Sequence, residues 1–185
     1  MRESIKIYHG ATSLVQNPEI RPASRPMDFG VGFYLTTFPT QAVEWSRKKA
    51  KKESGTPVVS MYNLDLGRIT KELTTKSFEG TSDEWIDFIL KHRKVSVYNV
   101  ISASTNGRLS RRLSVRKSFH HNFDMVMGEV ADDDVFDAIT LYEANVISFN
   151  ELKHRLSAKQ KNDQLCFCTS AALTHLEFIG PYEVV

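Results

Sequence analysis

The chain reads as one α+β domain spanning residues 1–185, and three observations predict it. Short strand patterns and helical patterns alternate irregularly, without the strand–helix repeat of a doubly wound sheet. Residues 17–32 carry Pro18, Pro22, Pro26, Gly30 and Gly32, which forbid regular structure and mark a long, ordered loop. The 185 residues, 41% hydrophobic and 25% charged, suffice for one real core and are ordinary for a globular chain.

The elements follow in order. Residues 4–9 alternate Ile5, Ile7 and His9 against Lys6 and Tyr8, as a half-buried strand does. Residues 10–12 end it. Residues 32–36 form the next strand. A helix starts at Thr37-Phe38-Pro39-Thr40, with Pro39 tolerated in the first turn, and runs past Trp45 to a basic tail over 47–52 that suits a helix C-terminus. Residues 57–64, rich in Val58, Val59, Met61 and Tyr62, predict a strand. Ser82 caps a helix with Asp83 and Glu84 in its first turn and Trp85, Phe88 and Ile89 on one face. Residues 96–117 resist assignment. A strand is expected over 123–130, and a helix capped by Asp132-Asp133-Asp134 and bearing Phe136, Ile139 and Leu141 follows it. A short helix opens at Asn150. Residues 164–168 are a strand, 170–176 a helical turn or two, and 176–185 a last strand interrupted at Gly180-Pro181.

Charge excludes little. With 24 basic and 22 acidic residues the net charge is +2, so a nucleic-acid partner would have to be met by a local patch. Arg108, Arg111, Arg112, Arg116 and Lys117, followed by His120 and His121, form the one such cluster. It reads either as solvated charge or as a docking surface for an acidic acceptor or a nucleic-acid backbone. No Cys or carboxylate stands at zinc-ligand spacing from the histidine pair, so no metal is expected. Cys166 and Cys168 are the only cysteines, and they are read as pointing to opposite faces of a strand, badly placed to bond. Two thiols with no disulfide framework suit a reducing compartment. No apolar leader or membrane-length window is apparent, which predicts a cytoplasmic protein with no membrane partner.

The residues that carry chemistry gather early. Tyr8-His9-Gly10 and Asp28-Phe29-Gly30-Val31-Gly32-Phe33-Tyr34-Leu35-Thr36-Thr37 each read as a strand mouth with a polar ring, where glycine lets something approach the backbone. Taken singly, His9 and Tyr34 read as packed groups, and Gly30-Val31-Gly32 lacks the further glycine and βαβ setting of a dinucleotide fingerprint. Taken together they make a slot for a flat, hydrogen-bonding ligand.

Together with Gln41-Ala42 and Trp45, with residues 123–133 and with a late Gln164-x-x-Phe167, these motifs resemble those of diphtheria-toxin-like and poly(ADP-ribose)-polymerase-like ADP-ribosyltransferases. Within that group the spelling is similar to a bacterial family of largely uncharacterised domains. The resemblance covers most of the chain. It implies a split β-sheet core with flanking helices, NAD as co-substrate, and mono-ADP-ribosyl transfer to a macromolecular acceptor, protein or nucleic acid, in a toxin paired with an antitoxin or in a housekeeping modifier. His9 would hold the adenosine ribose, Gly10 the carboxamide, Tyr34 and Trp45 the nicotinamide ring, and Gln164 the nicotinamide ribose. Gly32 would line the ligand. Trp45 also fits a core position on its helix face. Arg25, with Arg21, would clamp the pyrophosphate or carry ordinary loop charge.

The third-motif Glu of the family is absent, and the late segment reads Asp163-Gln164-Leu165-Cys166-Phe167. A neutral Gln orients a hydroxyl without offering full charge to a ribosyl cation. NAD glycohydrolysis and a catalytically inactive NAD-binding module therefore stand as alternatives, and Asp163, on the opposite strand face, competes with Gln164. Gln164→Glu is expected to raise NAD hydrolysis if the slot tolerates the charge.

Overall fold

Among the described residues, apolar alternation along seven strands builds two sheets that meet at one edge. The computed structural model describes residues 4–21, 27–92, 121–131, 133–157 and 162–184. The first sheet contains β1 (Ser4–Ala11), β3 (Val58–Asp65) and β7 (Leu176–Tyr182) in the order β1-β3-β7. The second contains β2 (Phe33–Leu35), β4 (Thr75–Ser77), β5 (Met125–Glu129) and β6 (Asp163–Phe167) in the order β2-β6-β5-β4. All neighbours are antiparallel except β4 and β5.

The two-residue period of each strand separates the layers. Ile7, Tyr62 and Leu64 point from the first sheet, and Phe33, Leu35, Met125, Leu165 and Phe167 from the second, into a shared core. On the far side of the first sheet Tyr8 and Val59 pack with Ala42 of α1 (Pro39–Glu53). On the far side of the second, Val126 and Cys166 meet a helix over residues 83–92 (α3), α4 (Asp133–Glu143) and α5 (Phe149–Ser157). Each fully buried Leu, Ile or Phe stabilises these layers by about 1.5–3 kcal/mol. The fold is α+β.

Helix ends follow local chemistry. Pro39 opens α1, where its missing N–H costs nothing, and Lys51 and Lys52 close it. The Ser82 hydroxyl oxygen accepts from Trp85 N at 3.3 Å, as expected for the α3 cap. Asp132 and the side chains of Asp133 and Asp134 lie outside the described residues, as do Arg25, the cluster from Arg108 to Lys117, and His120.

Three readings are corrected. β1 continues through Gly10 to Ala11 instead of stopping at His9. β7 is not interrupted at Gly180-Pro181. Met61 faces Gly180 while Tyr62 faces Phe178, so Ile179 is an extra, bulged residue, and an edge strand tolerates the proline. Cys166 and Cys168 do not point apart. Residues two apart share a strand face, and their sulfurs stand 3.4 Å from each other. The sequence reading also passed over α2 (Leu66–Glu72), with its Asp65 cap, and the short β4. α6 (Ser170–Leu173) is the expected turn, capped by Thr169.

Candidate functional site at the split between the sheets

Among the described residues β1 and β2 are edge strands of different sheets, joined by a bridge between Tyr8 and Thr36. Tyr8 N–H donates to Thr36 O at 2.8 Å, and Thr36 N–H donates to Tyr8 O at 3.0 Å. Beyond that pair the strands part. Main-chain N–H and C=O groups alternate sides along a strand, so those of Gly10, two residues on, face the same opening as those of Tyr8.

Glycine at position 10 has a packing cause as well. A Cβ there would overlap the Ala42 carbonyl oxygen and press on Ser46 N, so α1 lies directly on the strand. Ligand approach alone does not account for this glycine. Gly32 is similar: a Cβ would overlap Cys166 Sγ and Phe167 O, so its bareness serves β6. Gly30 has φ +87°, a left-handed conformation that needs glycine, and it turns the loop into β2.

His9 fills the mouth of the split. Its ring lies tilted by 32° against Phe33 with centroids 4.3 Å apart, and Nδ1 is 2.7 Å from Tyr34 O. A carbonyl only accepts, so Nδ1 carries the proton and Nε2 is left as the acceptor. Burial lowers the His9 pKa to about 4; the Tyr34 carbonyl opposes that effect and Lys49 adds to it. At neutral pH the imidazole is a fixed, uncharged hydrogen-bond acceptor.

Trp45 stands on α1. The buried stripe of that helix is Ala42, Ser46 and Ala50, and Trp45 is 46% exposed beside it. It is therefore not the core residue its helical register allowed. Trp45 and Lys49 share one helical face.

Tyr34 and His9 meet through the main chain, and the ring contact of His9 is with Phe33. The Tyr34 ring projects from the opposite face of β2, toward the core under α3. Its hydroxyl donates to Gly30 O at 2.7 Å and accepts from Phe29 N at 3.1 Å, closing the 29–34 loop.

Gln164 shares that second face with Tyr34 and Cys166. It is 8% exposed, and its Nε2 donates to Asp28 Oδ2 at 2.8 Å and to Glu129 O at 3.1 Å. Asp28 also accepts from Ala131 N at 2.9 Å. Asp163 points the other way, as strand alternation requires. Its carboxylate accepts from Thr36 Oγ1 at 2.6 Å, Thr37 N at 2.9 Å and Thr37 Oγ1 at 2.6 Å. Gln41 Nε2 donates to its main-chain oxygen at 2.8 Å.

The arrangement thus groups His9, the Gly10 main chain and Phe33 at the split, while α1 packs on the Tyr8 and Gly10 face of β1. It places the Tyr34 ring, Gln164 and Asp28 across β2 on the other face. Arg21 stays in solvent, paired with Glu19 at 3.4 Å. Among the described residues no group of three or more metal-ligating side chains occurs.

Sequence reasoning gave no role to Asp28, although it opens the Asp-Phe-Gly motif. A lone carboxylate in a glycine-rich loop does not name the partner it meets. Lys49 gave no signal.

The chain matches the profile of a family described as "Protein of unknown function (DUF3990)" over residues 5–178. No curated protein and no solved structure matches it. The profile covers nearly all of the sequence, and the chain belongs to this family.

Proposed function

We propose that the chain is an NAD-consuming mono-ADP-ribosyltransferase that breaks the nicotinamide–ribose bond and passes ADP-ribose to a macromolecular acceptor. The observation that carries the reading is the split itself. Two sheet edges part just after one bridge, at the residues whose motifs resemble those of these transferases. Gly10 presents a donor and an acceptor side by side, as a carboxamide requires. His9 Nε2 is a fixed acceptor for a ribose hydroxyl. Trp45 offers an exposed aromatic face to a cationic ring, a contact worth about 0.5–2 kcal/mol.

The missing carboxylate has a counterpart. Gln164 is neutral, but its amide is held by the Asp28 carboxylate at 2.8 Å. That charge-assisted bond makes the Gln164 carbonyl a better acceptor and puts negative charge near it. In this reading Gln164 orients the nicotinamide ribose, and Asp28 supplies the field that favours ribosyl-cation character. Catalysis rests on positioning and on keeping water out until the acceptor arrives.

A second reading is an inactive NAD-binding module. It is favoured by the commitment of both Gln164 and the Tyr34 hydroxyl to protein partners. Incubation with NAD labelled in the adenylate half, with protein and nucleic-acid acceptors offered separately, distinguishes the two. Transfer of label to either acceptor, lost in His9→Ala, supports the transferase. Saturable NAD binding by calorimetry without transfer or nicotinamide release supports the inactive module. Release without transfer identifies a glycohydrolase.

A further inference from the structure

We propose that Cys166 and Cys168 are a peroxide-responsive thiol pair that closes to a reversible intrachain disulfide beneath the Gly30-Val31-Gly32 loop. This role is independent of NAD chemistry.

The geometry carries the proposal. Cys166 ends the inward-facing row of β6, fully buried against Gly32, and Cys168 lies just past the strand end, partly exposed. Their sulfurs are 3.4 Å apart, so a bond of about 2.0 Å needs an approach of about 1.4 Å shared between two side chains. Two extended residues span at most about 7 Å between Cα atoms, at the upper limit of the range that a disulfide bridges. The segment is anchored for this. Cys168 N donates to Asp124 O at 2.7 Å, and Thr169 Oγ1 donates to Asp124 Oδ1 at 2.8 Å.

The two thiols are unequal, as attacking and resolving cysteines must be. The Cys166 thiol, and then His121, hold Cys168 down to about 6 against its burial and against Asp124. Burial pushes Cys166 up, with Cys168 and Asp28 acting in the same direction and Tyr34 opposing. His121 sits with Nε2 3.0 Å from Phe29 O. Burial disfavours its imidazolium, but Cys168 and the Phe29 carbonyl outweigh that and raise its pKa. Cys168 is thus the thiolate that a small oxidant reaches first.

The chemistry balances with hydrogen peroxide as the oxidant. The Cys168 thiolate attacks one peroxide oxygen, the O–O bond breaks, and the departing hydroxide takes a proton to become water. The Cys166 thiol then gives up its proton and attacks the Cys168 sulfenic sulfur. The S–O bond breaks, the S–S bond forms, and a second water leaves. Two thiols lose two electrons, and peroxide gains them. A dithiol reverses the step by exchange.

The test uses the reduced, folded full chain. After brief hydrogen peroxide treatment, samples are blocked with N-ethylmaleimide under denaturing conditions and weighed intact. The expected product is a monomer that has lost two hydrogens, accepts no maleimide, and regains both thiols with dithiothreitol. Cys166→Ser should accumulate a dimedone-reactive Cys168, and Cys168→Ser should leave Cys166 reduced at the same dose. Because either variant could be poorly folded, alkylation of wild-type Cys168 by iodoacetamide is followed against pH. A midpoint well below that of an ordinary thiol supports the assignment. Wild type that keeps a free Cys166 while Cys168 proceeds to sulfinic acid would overturn it. So would exclusive cross-linking between chains, or an alkylation midpoint at that of an ordinary exposed thiol.

Discussion

His9 shows how one bond fixes a residue's chemistry. Its Nδ1 proton is committed to the Tyr34 carbonyl and its ring to Phe33, so the neutral tautomer is set before any ligand arrives. The folded-state pKa of about 4 lies below the unfolded value of about 6.5. The unfolded chain therefore binds this proton first, and the contribution of neutral His9 to stability is complete above about pH 6.5. It is lost as pH falls toward 4. Urea unfolding of wild type and His9→Gln should give a difference in stability that shrinks across that window. A difference constant from pH 7 to pH 4 would contradict the assignment. Gln164 yields a second prediction at this scale and revises the expectation that Gln164→Glu raises hydrolysis. A Glu there would face the Asp28 carboxylate where the amide now donates at 2.8 Å. Two carboxylates in one buried site raise the pKa of one of them. Gln164→Glu should lose about 2 kcal/mol or more of stability at pH 7, regain much of it near pH 5, and be rescued by Asp28→Asn. A variant as stable as wild type at pH 7 would show that the slot accepts the charge. Asp28 was hidden in the sequence because a lone carboxylate in a glycine motif does not reveal its strand neighbour 136 positions away.

At the scale of elements, Asp163 decides how β2 and α1 leave the sheet. Its carboxylate gathers the hydroxyls of Thr36 and Thr37 and a main-chain N–H, while Gln41 holds its carbonyl. Phe38, the residue before α1, offers no side-chain cap, so this staple substitutes for one. Charge-assisted bonds contribute about 1.5–3 kcal/mol each when isolated and less than additively when shared. Asp163→Ala should therefore cost about 2–4 kcal/mol in unfolding free energy, with Asp163→Asn losing less. Loss of NAD turnover in Asp163→Asn at unchanged stability would instead move the third-motif role to this residue. Most elements were legible because periodicity and punctuation agreed, as at Pro39 and Ser82. α2 and β4 were not, because seven and three residues carry too little pattern to show a period. β7 was misread because proline and glycine are breakers only where the neighbouring strand demands their hydrogen bonds. The cysteine pair was misread by one step of strand parity, and its correction brings the two sulfurs together.

At the scale of the whole molecule, the described residues form two sheets joined by one bridge, with helices on both outer faces. No helix among the described residues is long and apolar enough to cross a membrane. The motifs identified the strands that border the split, but not that His9 and the Tyr34 ring would lie on opposite faces of β2. That separation follows from pairing between residues 25 apart and is invisible to local pattern. The most direct test of the account is nicotinamide release from NAD by the purified, folded chain, with His9→Ala alongside. If the chain is the proposed transferase, wild type releases nicotinamide steadily, at a rate that falls at least about 100-fold in His9→Ala, a loss of about 2.7 kcal/mol in transition-state stabilisation. Failure of the folded wild type to release nicotinamide, or equal rates for the two proteins, would contradict it.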